Sequence, residues 1–277
     1  MGEISVGFVG GGNMTRAIAG GLLASGFSAT DILISEPSAE QREILRQEFP
    51  GVATTDGNSE AAAQSDYLVL AVKPQILATA CRDLAGQVQR TRPLIISIVA
   101  GIRSDDIDRW LGGNLAIVRV MPNQPALLQQ GVSGVFANER VTAAEQAGAE
   151  RIMAAVGRVV SVPREADIDA VTAISGSGPA YFYLLIDMLM QTAQQLGLDD
   201  QAAATLAMET ASGAAALATA SGESMQKLIA RVRSPGGTTA AALDSLEEQN
   251  IRDIFARALT AARDRAVALA DEAHKQD

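Results

Sequence analysis

The sequence is poor in the side chains on which metal sites and many active sites depend. It has one cysteine, Cys81, and one histidine, His274, near the C-terminus. A single cysteine excludes an intramolecular disulfide and a cysteine-based metal site. A single histidine so near the end of the chain argues against hydrolases and dehydrogenases built around a catalytic histidine. Cys81 falls in a predicted helix and is interpreted as a buried structural thiol.

Aromatic residues and positive charge are also scarce. Phe, Trp and Tyr make up 4% of the chain, and 22 Lys and Arg against 32 Asp and Glu leave a formal charge of −10. Nucleic acids and anionic membranes attract basic surfaces, and base stacking needs aromatic platforms. The sequence has no apolar run long enough for a membrane span and no visible targeting segment. We therefore expect a cytoplasmic protein that binds neither nucleic acid nor membrane.

Short apolar stretches alternate with helical patterns through the first 160 residues. Strands are predicted at 4–9, 31–35, 67–72, 94–99, 115–120, 131–136 and 156–162, and helices at 14–23, 38–48, 74–84, 104–111 and 142–155. Such alternation is typical of a doubly wound, mostly parallel sheet. After Pro163 only helices are predicted, at 181–196, 199–220, 225–232, 238–248 and 251–273. The expected fold is an α/β domain, residues 1–163, followed by an all-α domain, residues 164–277.

The predicted helix at 181–196 is strongly apolar and contains few charged residues. A small helical domain has little else with which to cover such a helix. We therefore expect it to contribute to the core of a dimer, and the alternative is a central helix of a self-sufficient bundle.

A glycine cluster closes the first strand and opens the first helix. Gly10 permits the tight turn, and Gly12 lets the backbone approach a pyrophosphate at the helix N-terminus. The second strand ends before Glu36, whose carboxylate suits the ribose hydroxyls of NADH and repels the 2′-phosphate of NADPH. Ser35 and Ser38 could bind that phosphate, and Arg42 could pair with it. The pattern predicts a dinucleotide site that leans slightly to NADH; a merely tight turn and a solvated Glu36 are the alternatives.

Three further segments follow strands at the same predicted edge. Lys73 and Pro74 follow one strand, and Lys73 is interpreted as a general acid, a cofactor contact or a solvated turn residue. Ala100 and Gly101 follow the next strand, where small side chains leave room for a flat nicotinamide ring. Asn123 follows a third and brings an amide to the same crevice.

One segment of the helical region, residues 234–239, combines two glycines with hydroxyl side chains just before a predicted helix. Free N–H groups at a helix start favour an anion such as a carboxylate. Ordinary N-capping by Thr238 or Thr239 is the alternative interpretation.

Taken together, these segments resemble the pyrroline-5-carboxylate reductases, the last enzymes of proline synthesis. The resemblance rests on Gly-Gly-Gly-Asn-Met at 10–14, Ala-Val-Lys-Pro at 71–74, Met-Pro-Asn at 121–123, Asp-Ala-Val-Thr at 169–172, Ser-Gly-Ser-Gly-Pro-Ala-Tyr at 175–181 and Ser-Pro-Gly-Gly-Thr-Thr at 234–239. The last two segments are specific to this family, whereas the first is shared with Rossmann enzymes in general. Thr15 and Gln124 depart from the family's usual alanine and threonine.

The resemblance implies an N-terminal Rossmann domain and a C-terminal helical dimerisation domain, with homodimers that often assemble by fives into decamers. It implies reduction of 1-pyrroline-5-carboxylate to L-proline by NADPH or NADH. The implied cofactor residues are Val9, Gly10, Gly11, Gly12, Asn13 and Met14 at the pyrophosphate, Ser35, Glu36 and Asn58 at the adenosine ribose, and Ala71, Val72, Lys73, Pro74, Ala100 and Gly101 along the remainder. The implied substrate residues are Glu165, Ser234, Gly236, Gly237, Thr238 and Thr239, with Thr239 as the catalytic residue.

The chemistry of such a reduction suits a chain with so few reactive side chains. A protonated cyclic imine accepts hydride directly at carbon, so neither a nucleophile nor a histidine base is needed. Position and electrostatics are what the protein must supply. The helix start at 236–239 would bind the substrate carboxylate, and the Thr239 hydroxyl would hydrogen-bond the ring nitrogen.

Two alternatives stay open from the sequence. A β-hydroxyacid dehydrogenase or another imine reductase would share the architecture, but such enzymes usually use a lysine of the helical domain. The helix at 181–196 has no lysine, and Lys227 is the only one in that domain before the C-terminal tail. A non-enzymatic, dinucleotide-binding regulator would tolerate loss of 234–239, which is intact here.

Overall fold

The computed structural model describes residues 4–275. Within them, eight strands form one sheet. The strands are β1 Val6–Val9, β2 Ile32–Ser35, β3 Ala53–Thr55, β4 Tyr67–Leu70, β5 Leu94–Ser97, β6 Ile117–Met121, β7 Gly131–Ala137 and β8 Gly157–Ser161. The α-helices of the same residues are α1 Asn13–Ala24, α2 Ala39–Glu48, α3 Asn58–Ala63, α4 Pro74–Thr91, α5 Ser104–Trp110, α6 Ala143–Ala154, α7 Asp167–Val171, α8 Gly178–Gln195, α9 Asp200–Ser221, α10 Met225–Val232, α11 Thr238–Glu248 and α12 Ile251–Lys275.

The sheet has the strand order β3-β2-β1-β4-β5-β6-β7-β8. Strands β1 to β6 are parallel, β7 is antiparallel to β6, and β8 is parallel to β7. The chain therefore winds outward from β1 in one direction and from β4 in the other. The carboxyl ends of β1 and β4 therefore flank the crevice in which doubly wound sheets bind ligands.

Alternate residues of the central strands face two hydrophobic cores. On one face, Phe8 and Val69 pack with helices α1 and α6 through side chains such as Ile18 and Ile152. On the other face, Leu68 and Ile95 pack with α4 and α5, and Cys81 of α4 is buried in this second core. Strands buried on both faces explain the continuous apolar runs in the sequence.

The described residues divide into two compact units. The sheet unit comprises 4–177 together with 262–275, and the helical unit comprises 178–261. Helix α12 thus starts in the helical unit, and its last four turns belong to the sheet unit. The domain boundary at residue 163 remains a prediction from the sequence.

The helical unit leaves most of its large apolar side chains in solvent. Of the 18 residues of α8, only Gly178 is buried. Phe182, Leu184 and Met188 are 64%, 60% and 51% exposed. A central helix of a self-sufficient bundle would be covered on all sides, so that alternative is wrong for this chain. An apolar face of this extent is typical of a subunit interface.

The expected α/β-then-helical order is confirmed, and 165–274 contains no strand. Three elements were not predicted. Strand β3 has only three residues, none of them buried, and helix α3 has only six residues. Helix α7 continues into a π-helical turn, Thr172–Gly176. Helix α4 extends to Thr91 instead of ending at 84. Within residues 4–275, no helix is both long and apolar enough to span a bilayer.

Candidate cofactor and substrate sites

The first loop of the sheet unit requires glycine at Gly10 for two reasons. Its φ of 104° lies in the left-handed region, which favours glycine. A Cβ there would also lie 2.8 Å from the carbonyl oxygen of Ala71. The N–H of Ala71 in turn donates to Val9, and that of Gly10 to Ser35, at 2.9 and 2.8 Å. The loops after β1, β2 and β4 are therefore held together at the predicted cofactor edge.

The start of α1 has the properties of an anion site. Its N-cap is Gly12, which provides no side-chain hydrogen bond, and its first turn has no acidic residue. A Cβ at Gly12 would meet no atom within 4 Å, so packing within this chain does not explain the glycine. The N–H groups of Asn13 and Met14 lie in this first turn, where helices have no internal acceptor. This open cradle fits the pyrophosphate of a dinucleotide.

Glu36 joins the glycine loop to the turn after β2. Its Oε2 accepts a hydrogen bond from the N–H of Gly11 at 3.0 Å, and its Oε1 accepts from Ser38 N–H at 3.0 Å. Arg42 donates to the carbonyl oxygen of Glu36 at 2.7 Å. Glu36 is thus held in place at the end of β2, and the alternative of a freely solvated loop acid is wrong.

Ser35 and Asn58 also lie at this end of the sheet. The Ser35 hydroxyl is fully buried and donates to Asn58 Oδ1 at 2.6 Å. Ser35 and Asn58 were predicted as separate contacts of the adenosine ribose. In the structure, Asn58 accepts the hydrogen bond of the Ser35 hydroxyl and so orients that side chain.

The segment after β4 presents an exposed lysine at a helix start. Lys73 is the N-cap of α4 and Pro74 its first residue, and the side chains of both are exposed. Ala71 and Val72 are partly buried beside the glycine loop. The structure therefore favours a cofactor-facing or solvated Lys73 over a buried general acid.

Ala100 and Gly101 lie in the loop 98–103, which joins β5 to α5. Ala100 is exposed, whereas Gly101 has a φ of 71° and faces helix α12. A Cβ at Gly101 would lie 3.2 Å from Leu269 Cβ. The small residue at 101 is therefore required by the packing of α12, in addition to any room that it leaves for nicotinamide.

The Glu165 carboxylate makes all its observed hydrogen bonds within the sheet unit. Its Oε1 accepts from Ser104 N–H at 2.6 Å and from the Arg119 guanidinium at 2.9 Å, and its Oε2 accepts from the Ser104 hydroxyl at 2.8 Å. It thereby caps α5 and neutralises Arg119, which is 4% exposed. Burial raises the pKa of the neighbouring Asp169 carboxyl, an effect that Arg103 and Arg119 oppose.

In the helical unit, residues 234–239 form a turn that leads into α11. Gly236 has a φ of 68°, and the N–H of Gly237 donates to the carbonyl oxygen of Ser234 at 3.0 Å. Gly237 is the N-cap and makes no side-chain hydrogen bond, so capping by Thr238 or Thr239 is wrong. Both threonines lie in the first helical turn, where their N–H groups have no internal acceptor.

Several residues that shape these sites were missed. Arg119 lies inside an apolar strand, and a charged residue there was the available signal for a buried ion pair. Asn123, by contrast, was predicted to bring an amide to the crevice, but it donates to Ser175 O at 3.2 Å and accepts from Val132 N–H at 2.9 Å. Its amide therefore binds the chain itself. No local signal marked Ser104 or Asp106 as partners of distant residues.

Comparison with known proteins identifies the family of the chain. Residues 165–269 match the family model described as pyrroline-5-carboxylate reductase dimerisation, and residues 5–101 match NADP oxidoreductase coenzyme F420-dependent. A pyrroline-5-carboxylate reductase of Pseudomonas aeruginosa is 43% identical over 267 residues, which cover 96% of this chain and 97% of that protein. The chain belongs to the pyrroline-5-carboxylate reductase family.

Solved structures of the family have the same fold. A pyrroline-5-carboxylate reductase from Coxiella burnetii matches with a TM-score of 0.93 and 40% identity, covering 97% of this chain and 99% of that one. The Plasmodium falciparum enzyme, solved with NADP bound, matches with a TM-score of 0.84 and 29% identity, covering 98% and 99%. The predicted Rossmann fold and the reductase family are thus confirmed.

Proposed function

We propose that this chain reduces 1-pyrroline-5-carboxylate to L-proline with NADPH or NADH, the last step of proline synthesis. Family membership over nearly the whole chain is the observation that carries the proposal. Two of the helix starts that lack a side-chain cap, at Gly12 and Gly237, supply one anion site for a cofactor and one for a substrate.

The cofactor is assigned to the carboxyl edge of the sheet. Its pyrophosphate binds the N–H groups at the start of α1, and its adenosine ribose lies beside Glu36. The full set is Val9, Gly10, Gly11, Gly12, Asn13, Met14, Ser35, Glu36, Asn58, Ala71, Val72, Lys73, Pro74, Ala100 and Gly101. Bound NADPH or NADH supplies the hydride that the iminium carbon accepts.

The substrate is assigned to residues 234–239. The backbone N–H groups of Gly237, Thr238 and Thr239 bind its carboxylate, because a helix start carries a partial positive charge. Ser234 and Gly236 shape the turn. The Thr239 hydroxyl hydrogen-bonds the ring nitrogen and holds the ring for attack at the adjacent carbon. It donates to the neutral imine and, once a proton relayed from water has formed the iminium, it accepts from the iminium N–H.

Glu165 stays in the proposed substrate set. The bonds that it makes to Ser104 and Arg119 support a second role, which is to hold α5 and the loop before it. The two roles predict different variant behaviour, which is developed in the Discussion.

Glu36 bears on the choice of nicotinamide. Its carboxylate is held toward the N–H of Gly11, where it would accept from ribose hydroxyls and repel a 2′-phosphate. Arg42 lies next to it and would attract that phosphate. We propose that both cofactors are used, with NADH favoured.

The exposed apolar face of α8 supports assembly into homodimers through the dimerisation segment. We extend the proposal to decamers of five dimers and to a cytoplasmic location. We also propose that the functional domains are 1–163, which binds the cofactor, and 164–277, which binds the substrate and the partner subunit.

The test is to mix the purified protein with 1-pyrroline-5-carboxylate and, separately, NADPH or NADH, and to follow loss of reduced-nicotinamide absorbance. Oxidation that requires the imine, with proline as product, is expected. Cofactor binding without oxidation in either mixture would refute the proposed reaction and would favour another imine or a regulatory role.

A further inference from the structure

The last four turns of α12 pack against the loop that precedes α5. Ala266 and Ala270 are 6% and 1% exposed, and Ala273 packs against the core that contains α4 and α5. This stripe of small residues lets the helix backbone come close. At its centre, a Cβ on Gly101 would lie 3.2 Å from Leu269 Cβ.

Two polar contacts attach the same turns to α5 and its loop. Asp271 Oδ1 accepts from the Arg103 guanidinium at 3.3 Å. His274 Nδ1 lies 2.6 Å from Asp106 Oδ1. Because a carboxylate only accepts, Nδ1 carries the proton of this bond. The single histidine of the chain is therefore bound to a specific partner.

Asp106 is an unusual partner for a residue at the end of a chain. Its side chain is completely buried, and its Oδ2 has no hydrogen-bond partner among the described residues. Its Oδ1 is shared between His274 and Arg109, which lies 2.9 Å away. Since burying a carboxylate is costly unless it is paired, loss of His274 would weaken the local packing as well as one bond.

We propose that residues 262–275 of α12 act as a positioning element for loop 98–103, with Asp271 and His274 as positioning residues. The loop contains Ala100 and Gly101, so the inference rests on their assignment to the nicotinamide end of the cofactor. The docked helix keeps the loop in the conformation that receives this end. The adenosine and pyrophosphate ends bind at α1 and β2, which these contacts do not touch.

This separation within one ligand predicts a selective effect. If loop 98–103 is in its competent conformation only while α12 is docked, the apparent Kd for the whole cofactor rises in inverse proportion to the docked fraction. ADP carries adenosine and the two phosphates but neither nicotinamide nor its ribose. Its Kd therefore reports general damage to the sheet unit and not the position of the loop.

The experiment compares binding of NADPH and of ADP by calorimetry, at one pH, for Asp271→Asn, His274→Ala and the double variant. Undocking half to nine-tenths of the helices raises the Kd of NADPH about 2- to 10-fold, with the Kd of ADP unchanged. His274→Gln, whose amide donates to Asp106, restores tight NADPH binding. Glu272→Gln is the matched control, because the Glu272 side chain is exposed and pairs with Arg265 of the same helix.

Equal weakening of NADPH and ADP would show general loosening and would overturn the inference, as would unchanged NADPH binding in the double variant. The charge-reversed double variant, Arg103→Asp with Asp271→Arg, restores an ion pair between the two positions. It is therefore expected to bind NADPH more tightly than either single variant, which separates loss of this contact from misfolding. Binding needs no turnover. A protein that behaves as expected here and fails to reduce the imine would refute the proposed reaction only.

Discussion

Replacing Glu165 by alanine tests whether this carboxylate holds the fold or only the substrate. The change removes the acceptor of three hydrogen bonds, two from Ser104 and one from Arg119. The Arg119 guanidinium, 4% exposed, then remains buried without its carboxylate.

The magnitude follows from these contacts. Breaking a buried ion pair by removing one partner costs about 3–5 kcal/mol. The Glu165 side chain is 19% exposed, so water entering there keeps the cost near the lower limit. The lost acceptor at the start of α5 adds about 1 kcal/mol. We therefore expect Glu165→Ala to lower the free energy of unfolding by about 3–4 kcal/mol.

The assay is urea unfolding followed by circular dichroism at one protein concentration, because the stability of an oligomer depends on concentration. Glu139→Ala, which removes an exposed carboxylate, is the control and is expected to change stability by less than about 0.5 kcal/mol. Adding Arg119→Met to Glu165→Ala removes the unpaired charge and is expected to restore part of the loss. A Glu165→Ala protein as stable as the wild type, but with a raised KM for the imine, would refute the structural role.

Three other changes test separate parts of the proposal. Thr239→Ala is expected to lower kcat/KM about 10- to 100-fold, since one hydrogen bond to the ring nitrogen is worth about 1–3 kcal/mol. Ser245→Ala, which changes an exposed residue of the same helix, is the control. An unchanged kcat/KM in Thr239→Ala would remove this hydroxyl from the mechanism. Glu36→Ser is expected to raise the NADPH/NADH ratio of initial rates, because it removes a carboxylate that repels the 2′-phosphate; an unaltered ratio would contradict the role of Glu36. Burial raises the pKa of the Cys81 thiol to about 12, so the thiol stays protonated at mildly alkaline pH. We therefore expect a thiol reagent to react far faster with urea-unfolded protein than with native protein. Comparable rates would show that the thiol is accessible in the native protein.

The regular part of the sheet was predictable because each inner strand is a short, mostly apolar run followed by a turn signal. β4 and β5 have four buried residues each, and their helices begin with Pro74 or shortly after Gly101. β3 escaped prediction because its three residues are small or polar and none of them is buried. β3 is held in the sheet by its pairing with β2, and the residues of β3 alone give no sign of that pairing.

The course of α12 was not predictable from the chain. The sequence correctly indicated a helix from 251, but alanines at 266, 270 and 273 give no sign of which core they will join. His274 was treated as a tail residue because it stands near the end and lacks a local partner. Its partner Asp106 lies 168 positions away, and only the tertiary fold brings the two together.

The helix starts show how function and local stability compete in this chain. Helices α2, α6, α9 and α10 begin after Ser38, Thr142, Asp199 and Ser224, and each of these side chains accepts a backbone N–H. Helices α1, α3 and α11 begin after a glycine that caps nothing, and of these the starts of α1 and α11 are the ones assigned to ligands. A serine or threonine cap contributes about 1 kcal/mol, so both helices forgo stability that four neighbours have. Because the N–H groups left free are those assigned to pyrophosphate and carboxylate, a self-capping side chain at either place would occupy the donors that the ligands need. The sequence predicts both sites from their glycines, and the need to leave these donors free is the physical reason that we propose for glycine there.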